Sequence, residues 1–248
     1  MKRIFSIFLI ALSLLAFASC SDSVKKENEA TTYAVPVIEE STYSKEFKDG
    51  SGRVVFTVDV TVPQITGKCD PKVMEYINSE ALGIFNKACE FAQSNLENAS
   101  KNSKPWSKKI TFETTLLDDR YACFLVNDVF SVNGDKPTLS TLCFDIRKGV
   151  PCTLADFCVN PDDPESCFEF FLTDTLSKVL QDRFHVSAYI TDDVLARLDE
   201  IVDPANFYLT EKGMGFYFDK SLVDDRLSGN FKIIFTWAEL MGNFEIPA

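Results

Sequence analysis

Eight cysteines, one histidine and four Asp-Asp pairs are the residues of this chain whose types and spacing bear most directly on chemistry. Seven thiols lie beyond Cys20: Cys69, Cys89, Cys123, Cys143, Cys152, Cys158 and Cys167. No two of them have the two-residue spacing of a zinc ribbon or a thioredoxin-like redox site, and His185 is the only imidazole, so neither a metal site nor a cofactor is expected. An odd set cannot pair completely within one chain, and several of these cysteines sit in apolar stretches, where a free thiol behaves as a small hydrophobe. His185 lacks the company of a general base: there is no Gly-x-Ser-x-Gly elbow, and no motif brings Ser or Cys to it. At the end of an amphipathic helix, an imidazole more often meets the helix carboxyl end. The pairs Asp118-Asp119, Asp162-Asp163, Asp192-Asp193 and Asp224-Asp225 suggest calcium, but none has the alternating ligands and glycine of a calcium loop. Two of them precede helices, where carboxylates serve as caps. With nucleophile, base and stabiliser all unassigned, no catalytic residue is named and the chain is expected not to be an enzyme. Trp106, Phe112, Tyr121 and Tyr217 are candidates for a protein-binding surface, set against the core role that strand aromatics usually take.

The first residues concern address rather than chemistry. Lys2 and Arg3 precede an apolar run over residues 4–17, followed by Ala18 and Ser19, which is the charge, length and cleavage pattern of a signal peptide. The run is too short to cross a bilayer as a helix, and no second such run follows. Phe17-Ala18-Ser19-Cys20 resembles the lipobox of bacterial lipoproteins, with Phe17 in place of the usual Leu. That resemblance implies cleavage before Cys20, a lipid on its thiol, and an extracytoplasmic protein held to the cell membrane or the outer membrane by that lipid alone. Removing residues 1–19 lowers Lys plus Arg from 25 to 23 against 37 acidic residues, a net charge near −14. Such a surplus repels phosphate backbones and favours basic proteins, so nucleic acid is excluded as a partner.

The elements that must position any site follow from periodicity and caps. A polar stretch opens the mature chain, and residues 20–42 are assigned to a lipid-anchored tether. Residues 53–62 alternate as a strand, with Val54, Phe56, Val58, Val60 and Val62 on its buried face. Asp70 followed by Pro71 starts a helix expected to run to about residue 96, with Met74, Ile77, Ala81, Ile84, Phe85, Ala88 and Ala92 facing inward. Residues 98–104 are a polar break. Strands at 110–117, 121–132 and 138–146 form an antiparallel meander, turned at Asp118-Asp119 and Asn133-Gly134. Asp163-Pro164 starts a second helix bearing Phe168, Phe171, Leu172, Leu176, Val179 and Phe184. A third helix after Thr191 bears Val194, Leu195, Leu198 and Ile201. Strands at 206–210, 214–218 and 231–236 complete the chain, the first two joined by Glu211-Lys212-Gly213, where Gly213 would supply a positive backbone angle. The predicted fold class is α+β in two halves, residues 43–147 and 148–248, each with helices packed on an antiparallel sheet.

The meander also predicts a thiol contact. A connection made of Asn133, Gly134 and Asp135 places Cys123 opposite Asp145 and Cys143 one diagonal step away on the same face. The expected outcome is close packing of two thiols without a bond. A bond would require a bulge or a shift of register by one pair.

The order of elements and several local phrases resemble the RsiV-like extracytoplasmic domain family, typified by the ectodomain of the lysozyme-sensing anti-sigma factor RsiV and the N-terminal region of the peptidoglycan deacetylase PdaC. The phrases are Val62-Pro63-Gln64-Ile65, Tyr76-Ile77-Asn78, Phe144-Asp145-Ile146-Arg147-Lys148-Gly149, Thr153-Leu154-Ala155-Asp156-Phe157, Asn206-Phe207-Tyr208-Leu209-Thr210, Gly213-Met214-Gly215-Phe216-Tyr217-Phe218 and Trp237-Ala238-Glu239-Leu240. They span roughly residues 33–240. Read on their own, Leu154 and Phe157 are buried anchors and Asp156 a cap. Where relatives carry a Gly-Gly-Ala-His phrase, this chain has Asn133-Gly134-Asp135-Lys136-Pro137, and the resemblance reaches neither a sigma-binding segment nor a deacetylase domain. It implies a non-catalytic envelope binding module for lysozyme or another basic wall-directed protein. The alternatives are a peptidoglycan or glycan binder, a wall-associated accessory enzyme, or a structural envelope lipoprotein. No ligand-binding residue is assigned beyond Cys20 as the lipid carrier.

Overall fold

Valines at alternate positions shape the first half of the molecule in the computed structural model, which describes residues 35–67, 69–132, 134–178, 192–222 and 229–246. Cys20, His185 and Asp224-Asp225 lie outside these residues, as do Val179, Phe184 and Thr191. Strand β2 (Val54–Thr66) buries Phe56, Val58, Val60 and Val62 completely, as its period-two pattern requires. It pairs antiparallel with β1 (Val37–Lys48), which occupies residues 37–42 of the stretch assigned to the tether. That boundary is corrected: the polarity of β1 reflects an edge strand whose side chains are mostly solvent-facing, not a chain too polar to order.

Helix α1 (Pro71–Ser94) begins where Asp70 accepts hydrogen bonds from the Lys72 and Val73 amides at 2.8 and 3.4 Å. Its buried residues Ile77, Ala81, Ala88 and Ala92 lie against β2. A one-turn helix α2 (Leu96–Ser100) follows, so the polar break begins later than its composition suggests. The crossover makes β3 (Trp106–Leu117) pair parallel with β2. This is a second correction, since a wholly antiparallel sheet was expected for the first half. Long helical crossovers are what allow neighbouring strands to run the same way.

The meander is present: β4 (Tyr121–Ser131) pairs antiparallel with β3 and with β5 (Asp135–Asp145), and the short β6 (Val150–Pro151) closes a six-stranded curled sheet in sequential order. Ser131 pairs with Asp135, so the connection is residues 132–134 and the ladder sits one pair from the expected register. Cys123 therefore stands directly opposite Cys143, and the two are disulfide-bonded. The expectation of contact without a bond is corrected by that single-pair shift, which keeps side-chain parity while removing the diagonal offset.

β4 is buried on both faces. Ala122, Phe124 and Val126 belong to the core clusters beneath α1, whereas Tyr121, Cys123 and Leu125 face the second half. There, helix α3 (Pro164–Phe170), capped by Asp163, continues as a π-helical stretch over Phe171–Leu176. Short helices α4 (Asp192–Leu195) and α5 (Leu198–Ile201) replace the expected third helix. A three-stranded antiparallel sheet of β7 (Phe207–Thr210), β8 (Gly213–Asp219) and β9 (Asn230–Thr236) precedes α6 (Trp237–Leu240). Phe171, Phe216, Phe235 and Phe244 meet at ring-centroid distances of 4.5–6.2 Å in the second core. The result is a mixed α+β architecture in which the first sheet serves both halves. No helix among the described residues is long and apolar enough to cross a membrane.

Candidate functional site

β7 packs across β3, β4 and β5, and the loops leading into it leave two adjoining clefts at the junction of the two sheets. The first, of about 490 Å³, is apolar: Leu154 and Cys158 come from the 3-10 turn (Leu154–Phe157) and its end, Pro164 and Phe168 from α3, and Ala205 and Phe207 from the entry to β7. The second, of about 480 Å³, is lined by Leu139 and Tyr217 together with Asp199, Glu200, Asp203 and Asp219. Pro204 lines both, and the Thr141 hydroxyl on the floor of the first donates to the Tyr217 hydroxyl of the second at 3.2 Å. They form one surface, apolar at one end and acidic at the other. Among the described residues, no Lys or Arg lines either cleft. Arg197 lies 4.0 Å from Glu200 and 3.3 Å from Asp193.

Local sequence explains the placement. Asp203 accepts the Ala205 amide at 2.8 Å, and the Tyr217 amide donates to the Asn206 carbonyl at 3.1 Å, which ties the loop to β8. Thr153 and Asp156 form a reciprocal capping box on the 3-10 turn. Leu154 and Phe157 are buried, as their phrase suggests. Burial raises the Tyr217 hydroxyl above its usual range, a shift opposed by the Thr141 contact and reinforced by Asp203. Tyr208 is pushed up to about 12 by burial and then by Glu113, and Cys152, set near Asp145 and Asp156, is pushed up to about 12 mainly by burial.

The residues singled out by type are dispersed. Trp106 packs on Phe56 and Phe130, Phe112 on Phe124, and Tyr121 on Phe157, so these aromatics serve cores, and of the four only Tyr217 lines either of the two clefts. Asp118 accepts the Arg120 and Tyr121 amides, Asp119 pairs with Arg147, and Asp163 caps α3. No three metal-ligating side chains converge among the described residues. Sequence reasoning missed Asp199, Glu200, Asp203 and Asp219, which come from two separate segments and acquire a common site only when the fold sets both segments around one cleft. Their one sequence signal was the density of acids after Thr191.

Most recognised phrases prove to be fasteners. Asn78 grips Ile65, accepting from its amide at 2.8 Å and donating to its carbonyl at 3.1 Å. The buried Asp145 accepts the Arg147 and Lys148 amides, each at 3.0 Å, and pairs with Arg120 and Lys148.

No protein-family model matches the sequence, and no curated protein matches it significantly. The fold is similar to that of a DUF3298 family member from Bacteroides fragilis NCTC 9343, with a TM-score of 0.54 and 14% identity, covering 86% of this chain and 96% of the other. It is similar also to a DUF3298 family protein from Pseudomonas aeruginosa PAO1, with a TM-score of 0.55 and 12% identity, covering 86% and 94%. At these identities the likeness concerns the fold.

Proposed function

We propose that the chain is a cell-envelope lipoprotein, carried on a lipid at Cys20, that binds a cationic wall-directed protein of the lysozyme class without chemical conversion. The observation that carries this reading is the continuous junction surface, where an apolar cleft adjoins Asp199, Glu200, Asp203 and Asp219 with no lining cation among the described residues. An apolar side chain anchors in such a cleft while the acidic end selects and orients positive charge. A net charge of −12 over the full sequence supports the same partner class by long-range attraction. The ordered phrases that resemble those of RsiV-like ectodomains supply the lysozyme part of the reading, and the likeness to DUF3298 members concerns the fold alone.

The test is a titration of the purified chain with lysozyme at low and high salt, beside the charge-reversal pair Asp199→Lys and Asp203→Lys. Binding at low salt is expected, with association slowed about tenfold by added salt or by the two reversals. No binding at low salt, or binding indifferent to both changes, would remove the proposal. Release of soluble fragments from peptidoglycan by the chain alone would replace it with an enzymatic one.

A further inference from the structure

Cys158 ends the 3-10 turn and pairs with Phe244 in an isolated antiparallel bridge. The adjoining Val159 amide donates to the Asn243 carbonyl at 3.0 Å, and the Cys167 thiol donates to that same carbonyl at 2.6 Å. One backbone oxygen therefore gathers the segment after the turn and the opening of α3. The chain between them reverses where the Asp163 amide donates to the Asn160 carbonyl at 3.2 Å and the Asp163 carboxylate caps α3. This reversal packs Cys167 against the buried cluster that contains Cys158, whose own thiol donates to the Leu154 carbonyl at 3.6 Å. The remaining free thiols have other company: Cys89, on α1, packs against the first core, Cys69 lies near the start of that helix, and Cys152 sits among Asp145, Asp156, Lys148 and Arg120.

We propose that Cys158 and Cys167 are a second disulfide site, which ties the 3-10 turn to α3 along the wall of the apolar cleft. The Cys123–Cys143 bond, once formed, requires the same class of oxidant. The co-reactant is a disulfide of the thiol–disulfide exchange class. Cys167, the more exposed of the pair, attacks as its thiolate; the donor's S–S bond breaks and a mixed disulfide forms. The Cys158 sulfur then loses its proton and attacks Cys167, forming the Cys158–Cys167 bond and expelling the donor's second thiolate. Two thiols lose two electrons and two protons, and the donor disulfide gains both to become a dithiol. Cys158 takes the resolving role because Cys167 packs against its cluster, and burial, which holds its proton on, makes this second attack the slower one. The inference does not depend on the identity of the cleft's partner.

The test uses the full chain expressed with its own leader and recovered from the envelope. Free thiols are alkylated in denaturant without reductant, and the protein is cleaved before aspartate, which separates Cys152, Cys158 and Cys167 at Asp156 and Asp162. The expected result is that the Cys158 and Cys167 peptides migrate as one linked species, two hydrogens lighter than their sum, and part on reduction, while Cys152 carries the alkyl label. Alkyl label on both Cys158 and Cys167, or a link from either to Cys152, would overturn the proposal. In Cys167→Ser, Cys158 should become alkylatable, adding one label per chain, whereas Cys152→Ser should leave the linked species unchanged. The wild-type mapping decides the question even if the first variant fails to fold.

Discussion

Gly215 faces Tyr208 across the β7–β8 pair, and a Cβ there would stand 2.1 Å from the tyrosine ring. Tyr208 fills the space between the two sheets with Leu125 and Tyr217, so the ring has little room to retreat. Gly215→Ala is expected to destabilise the fold by about 1–3 kcal/mol, the usual cost of overpacking, measured as a lowered urea midpoint. An unchanged midpoint would show that the ring moves freely. Gly213 makes a related point: its backbone angle is not positive, contrary to expectation, and it is glycine because a Cβ would lie 1.8 Å from the Phe235 carbonyl oxygen. A turn residue was legible in the sequence; the strand crowding it was not. Titration offers a second test. Tyr121, Tyr208 and Cys152 are each pushed up to about 12, mainly by burial, from ordinary values of 10, 10 and 9. A raised folded-state value gives stability that is complete below the ordinary value and lost as pH rises through the folded one. Unfolding free energy is therefore expected to hold to about pH 9 and fall toward pH 12. Tyr208→Phe should flatten that fall, and an identical alkaline profile in the variant would contradict the assignment.

Among elements, the β4–β5 hairpin shows how small a difference separates a thiol contact from a covalent bond. Periodicity placed both cysteines on one face, and the structure keeps that parity. The position of the connection is decided by which of residues 131–136 pair, and local sequence leaves several choices nearly equal. The bond joins positions 20 residues apart. Losing the constraint it places on the unfolded chain should cost about 3 kcal/mol. The double variant Cys123→Ser with Cys143→Ser is expected to lose that amount in equilibrium unfolding, and a loss below about 1 kcal/mol would place the stabilisation of the hairpin elsewhere. The start of α1 was far more legible, because Asp70 and Pro71 act through neighbours two and three residues away.

At the scale of the molecule, the proposed function requires both a tether to the membrane and a surface that meets a partner. Intact mass of the chain from the membrane fraction is expected to show cleavage before Cys20 and an added diacyl or triacyl mass, with Cys20→Ala lacking that mass. Unmodified mature protein in the medium would remove the anchor from the proposal while leaving the junction surface to be judged by its own titration. The two sheets are joined there by Leu125, Tyr208 and Tyr217, with Leu139 packed against them, so charge reversal at the exposed Asp199 and Asp203 should alter association without disturbing that contact.

The sequence by itself determined what nearest neighbours and composition control: the capped helix starts at Asp70 and Asp163, the alternating burial of β2, the meander, and the acidic net charge. It also marked out recognisable phrases, which turned out to secure backbone, as Asn78 does for Ile65. Only the tertiary structure decided that β3 runs parallel to β2, that Cys123 lies opposite Cys143, and that Asp199 and Asp219 border one cleft. The physical reason is range. Caps, turns and side-chain alternation depend on interactions across a few residues, whereas strand order, register and clefts depend on which distant surfaces bury one another, and many pairings satisfy the same local pattern.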